Sequence, residues 1–472
     1  MRRVVVIGGG ITGLAAAHRL GELAASREMP LQVTLLEQGA RAGGPLHTIR
    51  RDGFVMETGA DSILTEKPWA VELAKRLGLE RELVAPRNEF RTTLVVRDGR
   101  LAEVPEGFSL LAPARLAPIL KTPIFTPLGK LRIMLEPLIP RRRGGGDESL
   151  ASFVTRRLGR EVLDRVAQPL AGGIYTSDAS RLSIAATIPR FVEMERRYGS
   201  LYLGLRAAER MRAGQSAGTS GARWSMFVSF RNGLSTLVDA LAGRLADSIR
   251  FGAKAEAFEH ESGKWRVKLA GEAPLDADAI VCAAPAYAAA RLIGPIAPKL
   301  AGMLATINYA SAATVNLTYR ANDFPSAPRS VGFVAPIAEQ RKIIAGSFSS
   351  LKFDGHAPAG TILARVFLGG VLQSGMMAQS DDDLVASARD EFRALLGVTA
   401  APGMALVQRW PDAMAQYEVG HLDRIAQIES AAAEIENFAI AGAAFRGVGI
   451  PDCVHGGEQA AEKVFERLAG AR

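Results

Sequence analysis

The 472-residue sequence predicts an α/β protein with a discontinuous Rossmann-like dinucleotide-binding domain, an inserted antiparallel sheet and a mainly helical segment. Three observations carry this expectation. A β-branched run, Val4 to Ile7, leads straight into Gly8-x-Gly10-x-x-Gly13 and then into a helical stretch from Leu14. Alternating strand patterns with proline- and glycine-bearing turns fill residues 300 to 430. The chain ends on another strand, glycine loop and helix, so the first sheet should be built from both ends of the polypeptide.

In the opening unit the first glycine permits a tight turn, the second lets backbone approach a pyrophosphate, and the third lets helix pack on strand. The helix end then turns free N–H groups and its positive dipole toward phosphate. Leu31 to Glu37 reads as the second strand, ending in an acid where an adenosine ribose would offer hydroxyls. Arg41-Ala-Gly43-Gly44 is either a surface turn or a loop wrapping the far side of the same ligand, with Arg41 near a phosphate. Phe54 to Ser62 reads as a strand entering a tight loop, where Gly59 would let backbone N–H groups reach a flat ring. Trp69, Leu73, Leu77 and Leu79 have helical spacing.

Thr92 to Leu101 predicts a hairpin with Asp98-Gly99 as its turn. From Phe108 to Pro140 the chain is apolar, proline-punctuated and basic, and residues 111 to 165 hold eleven Lys/Arg against five Asp/Glu. Two readings compete there: a packed helical subdomain with a charged face, or a patch that dips apolar side chains into an anionic bilayer surface. Helical signals run through Glu148 to Ala167 and Leu182 to Arg212, interrupted at Ala171 to Tyr175 by an expected close-approach loop; Arg212 to Arg223 reads as an exposed loop. A strand near Phe227 should precede a helix over Leu237 to Leu245. Strands are then expected over Ile249 to Phe258, Trp265 to Ala270 and Asp278 to Cys282, the last ending in small residues as at the carboxyl edge of an α/β sheet. Further strands are Ala313 to Tyr319, Val331 to Ala335, Lys342 to Ser349 and Thr361 to Leu368, followed by a helix over Asp381 to Leu395. The final helix is expected from about Gly457 to Leu468.

Composition narrows the chemistry. With 48% hydrophobic and 22% charged residues the chain has the make-up of a folded protein, and its +8 formal charge favours anionic partners. No zinc spacing, RNP-like segment or long basic run supports nucleic acid. Two cysteines fit a reducing cytosol, with Cys282 read as a small core residue, and six scattered histidines argue against a metal site. Arg2-Arg3 before an apolar stretch could mimic a signal peptide, but glycines at 8, 10 and 13 are better explained by strand, turn and helix. No run of eighteen apolar residues predicts a spanning helix.

At these residues the chain resembles the FAD-dependent porphyrinogen oxidases, within the wider flavin amine oxidase and phytoene desaturase superfamily. The wider likeness rests on Gly8-x-Gly10-x-x-Gly13, Glu37, Arg41-x-Gly43-Gly44 and Glu57-x-Gly59-Ala60. The narrower one rests on Gly172-Gly-Ile-Tyr175-x-x-Asp178-x-x-x-Leu182-Ser183, Gly332-Phe333 and Phe445-Arg-Gly-Val-Gly-Ile-Pro-Asp-Cys453. The resemblance implies an FAD-binding domain from residues 1–66, 228–289 and 430–472, a substrate-binding domain from 67–95, 200–227 and 290–429, and a helical, membrane-facing domain over 96–199. It implies FAD contacts at Gly8, Gly9, Gly10, Ile11, Thr12, Gly13, Glu37, Gln38, Arg41, Gly43, Gly44, Gly59, Ala60, Asp61, Ser62, Ala255, Ala443, Val448, Gly449 and Ile450. Substrate would meet Arg91, Gly173, Phe333, Phe353 and Phe367.

The implied reaction is oxidation of protoporphyrinogen IX to protoporphyrin IX with dioxygen in heme biosynthesis; the alternative is coproporphyrinogen III to coproporphyrin III. No catalytic side chain is expected, because hydride passes to flavin N5 and the protein orients and excludes water. The arginine that protoporphyrinogen-type members often carry before the hairpin, to meet a propionate, aligns on Gly99 with Thr93, and Arg91, two residues away, is the candidate substitute; Phe367 stands where coproporphyrinogen-type relatives tend to have tyrosine. These departures leave the substrate open. An oxidase for amines or carotenoids and a non-catalytic FAD-fold binding protein are the competing classes. A cytoplasmic protein, peripheral on the inner face of the cell membrane and homodimeric, completes the expectation.

Overall fold

Arg2–Ile7 forms the central strand of a five-stranded parallel sheet, buried from Val4 to Ile7 because the helices Ile11–Ser26 and Ile450–Gly470 cover one face and a three-stranded meander over residues 255–277 covers the other. The sheet order is 249–251, 31–37, 2–7, 279–282, 438–440, so strands from three distant stretches of chain lie side by side. The computed structural model describes residues 1–90, 92–215 and 226–470. The expectation that the C-terminal strand rejoins the sheet begun at residue 4 is met: Ile280 pairs with Phe438 and Cys282 with Ile440.

The closing helix, Ile450–Gly470, packs along the opening helix, Ile11–Ser26. Contact is close enough that a Cβ on Gly457 would lie 2.2 Å from the Thr12 carbonyl oxygen. This helix starts seven residues earlier than the sequence pattern suggests, since Pro451 suits a first turn and Gly456-Gly457 does not break it.

A seven-stranded sheet lies beyond, ordered 404–415, 309–320, 361–369, 345–348, 332–334, 93–97, 100–103, with only 332–334 and 93–97 parallel. One face carries Ala313, Val315, Leu317, Phe333, Val366 and Leu368 against Leu384, Ala388 and Phe392 of the helix Asp381–Leu396. The Asp98-Gly99 turn is as expected, with both residues at positive φ (50° and 73°).

Several elements differ from expectation. Gly252, at φ 69°, splits the expected strand 249–258 in two; Ile249–Phe251 joins the parallel sheet, and Ala255–Glu261 starts a three-stranded meander. Ala171 to Tyr175 is not a loop but belongs to the helix Gln168–Tyr175, whose glycines let it approach the second sheet: a Cβ on Gly172 would lie 3.5 Å from Ile344 and one on Gly173 3.9 Å from Val334. The strand Met404–Ala415 and the helices Ala286–Ile293, Pro298–Ala305 and His421–Ala433 had no expectation. The expected loop 212–223 falls largely outside the described residues.

Residues 108–140 form a small hairpin and short helices rather than one regular bundle. They are anchored by the buried Arg157–Glu136 pair, whose carboxylate also accepts from Ser200 Oγ at 2.6 Å and Leu201 N at 2.9 Å. No helix among the described residues is long and apolar enough to cross a membrane.

Gly457→Ala should lower the free energy of urea unfolding by about 1–3 kcal/mol, because its methyl meets backbone rather than a side chain that can turn aside. The neighbouring Gly456→Ala, whose Cβ would meet nothing within 4 Å, should instead be neutral or stabilising by up to about 1 kcal/mol.

Candidate functional site

The first strand's carboxyl end turns at Gly8, at φ 101°, where a Cβ would lie 3.0 Å from the Ala283 oxygen. Gly13 brings the helix onto this turn; its Cβ would lie 1.9 Å from the Gly8 oxygen. Gly10 is different, because a Cβ there would meet nothing within 4 Å. Across from it stands Gly44, at φ 56°, whose Cβ would lie 3.6 Å from Gly10 Cα. Gly43 N donates to Gly9 O at 2.8 Å and fixes the two glycine loops against each other. Gly10 also caps the opening helix without any side chain. Bare backbone on two sides and uncapped helical N–H groups at Ile11, Thr12 and Gly13 make a cradle suited to a pyrophosphate.

Glu37 lies beside this cradle, its carboxylate accepting from Gly9 N at 2.7 Å and Gly39 N at 2.6 Å. Gln38 is exposed next to it, and Ala255 is half-buried where the meander leaves Ala253, whose N–H donates to Glu37 O at 3.0 Å. Arg41 braces the Gly43-Gly44 loop, donating to Ala42 O at 3.1 Å and Gly44 O at 2.8 Å.

The loop Gly59-Ala60-Asp61-Ser62 rests on the same structure, since Thr58 N donates to His47 O at 2.9 Å and a Cβ on Gly59 would lie 2.0 Å from Pro45 O. From the opposite side the second sheet grips it. Thr314 Oγ1 and Trp410 Nε1 each donate to Thr58 O at 2.7 Å, Asn316 Nδ2 donates to Glu57 O at 3.1 Å, and Arg365 donates to Gly59 O at 2.7 Å. Asp61 is paired with Lys352 at 2.8 Å and Arg365 at 3.1 Å. Burial alone would raise the Asp61 carboxyl, but these two cations outweigh it and hold it well below the usual carboxylate range. Glu57 lacks such a partner; burial pushes it up to about 7 although Leu234 N and Thr48 Oγ1 donate to it.

The closing segment completes the edge. Ala441 N donates to Cys282 O at 3.0 Å, which sets the following loop at the carboxyl end of the parallel sheet. Ala443, half-buried, accepts from Tyr417 Oη at 2.7 Å; Val448 and Gly449 are half-buried, and Ile450 opens the helix. Asp452 in that first turn binds Lys67 at 2.7 Å. Burial pushes the Cys282 thiol up to about 11 and Cys453 up to about 12, so neither offers a thiolate.

The expected substrate residues divide. Phe367 shares a sheet face with Arg365, whose guanidinium lies 4.6 Å from its ring centre, and the register brings it opposite Ala345, beside Val334, which Gly173 approaches. Phe333 is a correction: it alternates with Gly332 and Val334, so it faces the other way and is 1% exposed among Phe348 and Phe392. Phe353 is also 1% exposed, packed behind Lys352 and His356, and does not line the site. Arg91 lies outside the described residues. Thr93 pairs with Gly332 and so sits in register with Val334's face. The sequence reading missed Arg365, Lys352, Thr314 and Trp410; a lone arginine inside the apolar run Thr361 to Leu368 was the available signal.

A separate cavity of about 450 Å³ lies at the end of the second sheet, where Ser177 and Asp178 meet Tyr309, Gln416 and Glu418. Its carboxylates outnumber its one cation, Arg181, which is already paired with Glu418 at 2.6 Å, so it suits a polycarboxylate poorly.

The family model for flavin containing amine oxidoreductases matches residues 11–465. The chain is 36% identical over 498 positions to the coproporphyrinogen III oxidase of Propionibacterium freudenreichii subsp. freudenreichii, covering 99% of this chain and 92% of that protein. It is 30% identical over 492 positions to the protoporphyrinogen oxidase of Bos taurus, covering 98% of each. A crystal structure from Exiguobacterium sp. 255-15, solved under the provisional name protoporphyrinogen oxidase, superposes with a TM-score of 0.86 at 29% identity over 99% of both chains.

Gly10→Val should unfold like the wild type, since its side chain enters open space, yet retain no flavin after gel filtration. Glu57→Gln tests the buried carboxyl. A raised acid contributes stability in full below its unfolded value and loses it as pH rises to about 7. Urea unfolding at pH 5 and pH 8 should therefore show the wild type losing on the order of 3 kcal/mol more than the variant.

Proposed function

Because the chain belongs to the flavin containing amine oxidoreductase family and is an FAD-dependent oxidase, we propose that it oxidises coproporphyrinogen III to coproporphyrin III, with dioxygen as acceptor. The observation that carries this reading is the higher identity to a coproporphyrinogen III oxidase than to a protoporphyrinogen oxidase across the full chain. Thr93, on the site face where protoporphyrinogen-type relatives carry an arginine, agrees with it. Phe367 in place of tyrosine favours the second reading, protoporphyrinogen IX.

FAD, when bound, supplies the hydride acceptor. The chain's contribution is then placement. Gly10, Gly44 and the N-terminus of the opening helix would take the pyrophosphate, and Glu37 would exchange its backbone partners for ribose hydroxyls. Arg365, Thr314 and Trp410 immobilise the loop at Gly59 that would meet the flavin ring. Phe367, Val334 and Gly173 offer a flat, apolar approach that excludes water from a macrocycle. The site's carboxylates are committed to partners, which suits a reaction needing no general base. The proposed division is into an FAD-binding, a substrate-binding and a helical domain, with the hairpin strands 93–97 and 100–103 both counted in the substrate sheet rather than split at residue 96.

The apolar patch of the helical region supports a peripheral contact with an anionic bilayer. Leu128 is 78% and Leu138 77% exposed, with Leu120, Leu131 and Leu135 nearby in sequence and Lys121, Lys130 and Arg141 to Arg143 among them.

Steady-state assays should give coproporphyrinogen III a kcat/KM at least tenfold above that for protoporphyrinogen IX; the reverse order establishes the second reading. Vesicles containing anionic lipid should sediment the wild type at low salt, and Leu128→Glu with Leu138→Glu should reduce the bound fraction several-fold; equal sedimentation removes the bilayer contact.

A further inference from the structure

We propose that Lys352 and Arg365, locked onto Asp61, are positioning residues that hold one uncompensated positive charge behind the Gly59–Ser62 loop and so make the bound flavin easier to reduce. The proposal rests on the flavin reading above.

Arg365 is 3% exposed, within a strand whose neighbours on that face, Leu363 and Phe367, are apolar. A guanidinium placed there needs partners, and it has the carbonyls of Glu57 at 3.3 Å and Gly59 at 2.7 Å and the Asp61 carboxylate at 3.1 Å, while its Nε has none. Lys352 reaches the other Asp61 oxygen at 2.8 Å and Ser62 Oγ at 3.1 Å, between the rings of Phe227 and Phe353. One buried carboxylate would be satisfied by one cation. Two are present, and the surroundings do not neutralise the second. His356, which packs on Phe353, is kept neutral by burial. Asp354 points to solvent and pairs with Arg87. Glu57, the remaining nearby carboxyl, accepts from Thr48 and Leu234; it feels Arg365, but burial raises it to about 7, so below that pH it stays protonated and leaves the second cation uncompensated.

The chemistry gives such a charge a purpose. Oxidation of a porphyrinogen bridge would remove a hydride and an N–H proton; FAD, when bound, would supply the hydride acceptor and gain one negative charge, while the proton leaves to solvent. A fixed cation in a poorly screened interior favours that charged product over the neutral oxidised ring. The same contacts hold the peptide units from Glu57 to Gly59, so charge and loop geometry are set together.

The test uses holoenzyme reconstituted with FAD and reads the flavin midpoint potential against a reference dye, alongside FAD affinity and thermal unfolding. Lys352→Met should keep FAD within about threefold of wild-type affinity while moving the two-electron equilibrium at least tenfold toward the oxidised form, about 30 mV lower. Asp61→Asn should move it the other way. Arg365→Lys, keeping charge but losing the fork, should lie nearer the wild type than Arg365→Met. Lys352→Gln serves should Lys352→Met fail to fold. Unchanged potentials in flavin-loaded Lys352 variants would overturn the proposal and leave the cluster as structural. Wild-type protein that binds no FAD would instead overturn the flavin reading itself.

Discussion

The contact between Gly457 and Thr12 is the constraint on which the rest of this molecule depends. Helices from the two ends of the chain touch through backbone there, and a Cβ at Gly457 would come within 2.2 Å of the Thr12 oxygen. The same closure is made in the sheet, where 438–440 pairs with 279–282 and 279–282 with 2–7. Parallel strands cannot be joined by tight turns, so every such pairing obliges a long crossover. The intervening chain uses those excursions to build the second sheet and the helical region, and both return to the carboxyl edge where the glycine loops lie.

The two sheets are coupled through one short segment. Residues 57–62 rest on the Gly43–His47 loop from one side and accept hydrogen bonds from Thr314, Asn316, Arg365 and Trp410 from the other. Strand alternation makes this possible. In 309–320, Ala313, Val315, Leu317 and Tyr319 face the helix-covered core, while Thr314 and Asn316 present polar groups to the loop. The site is thus a sheet face and a glycine cradle held in fixed relation by these side chains.

What could be read from sequence was what local chemistry dictates. The Gly8 to Gly13 turn, the acid ending Leu31–Glu37 and the Asp98-Gly99 hairpin each follow from backbone sterics within a few residues. Assignments that depended on which way a strand faces were less accessible. Phe333 looked like a substrate aromatic, and only pairing with Thr93–Arg97 and Ala345–Phe348 shows that Val334 takes that side. Met404–Ala415 went unread because Pro411 and the positive φ of Asp412 break its pattern, while a register shift against 309–320 absorbs the extra residues. Glycines misled at Gly172-Gly173, where they mark helix–sheet proximity rather than a loop. The importance of Arg365 was invisible because its partner, Asp61, lies some three hundred positions away.

The central claim is that both ends of the polypeptide grip a single flavin. Hydrogen–deuterium exchange of the apoprotein before and after FAD addition tests it most directly. The account predicts slowed exchange in three separated segments at one ligand equivalent, at Gly8 to Gly13, at Gly59 to Ser62 and at Val448 to Ile450. Protection confined to the N-terminal glycines, with residues 448–450 exchanging as before, would contradict it.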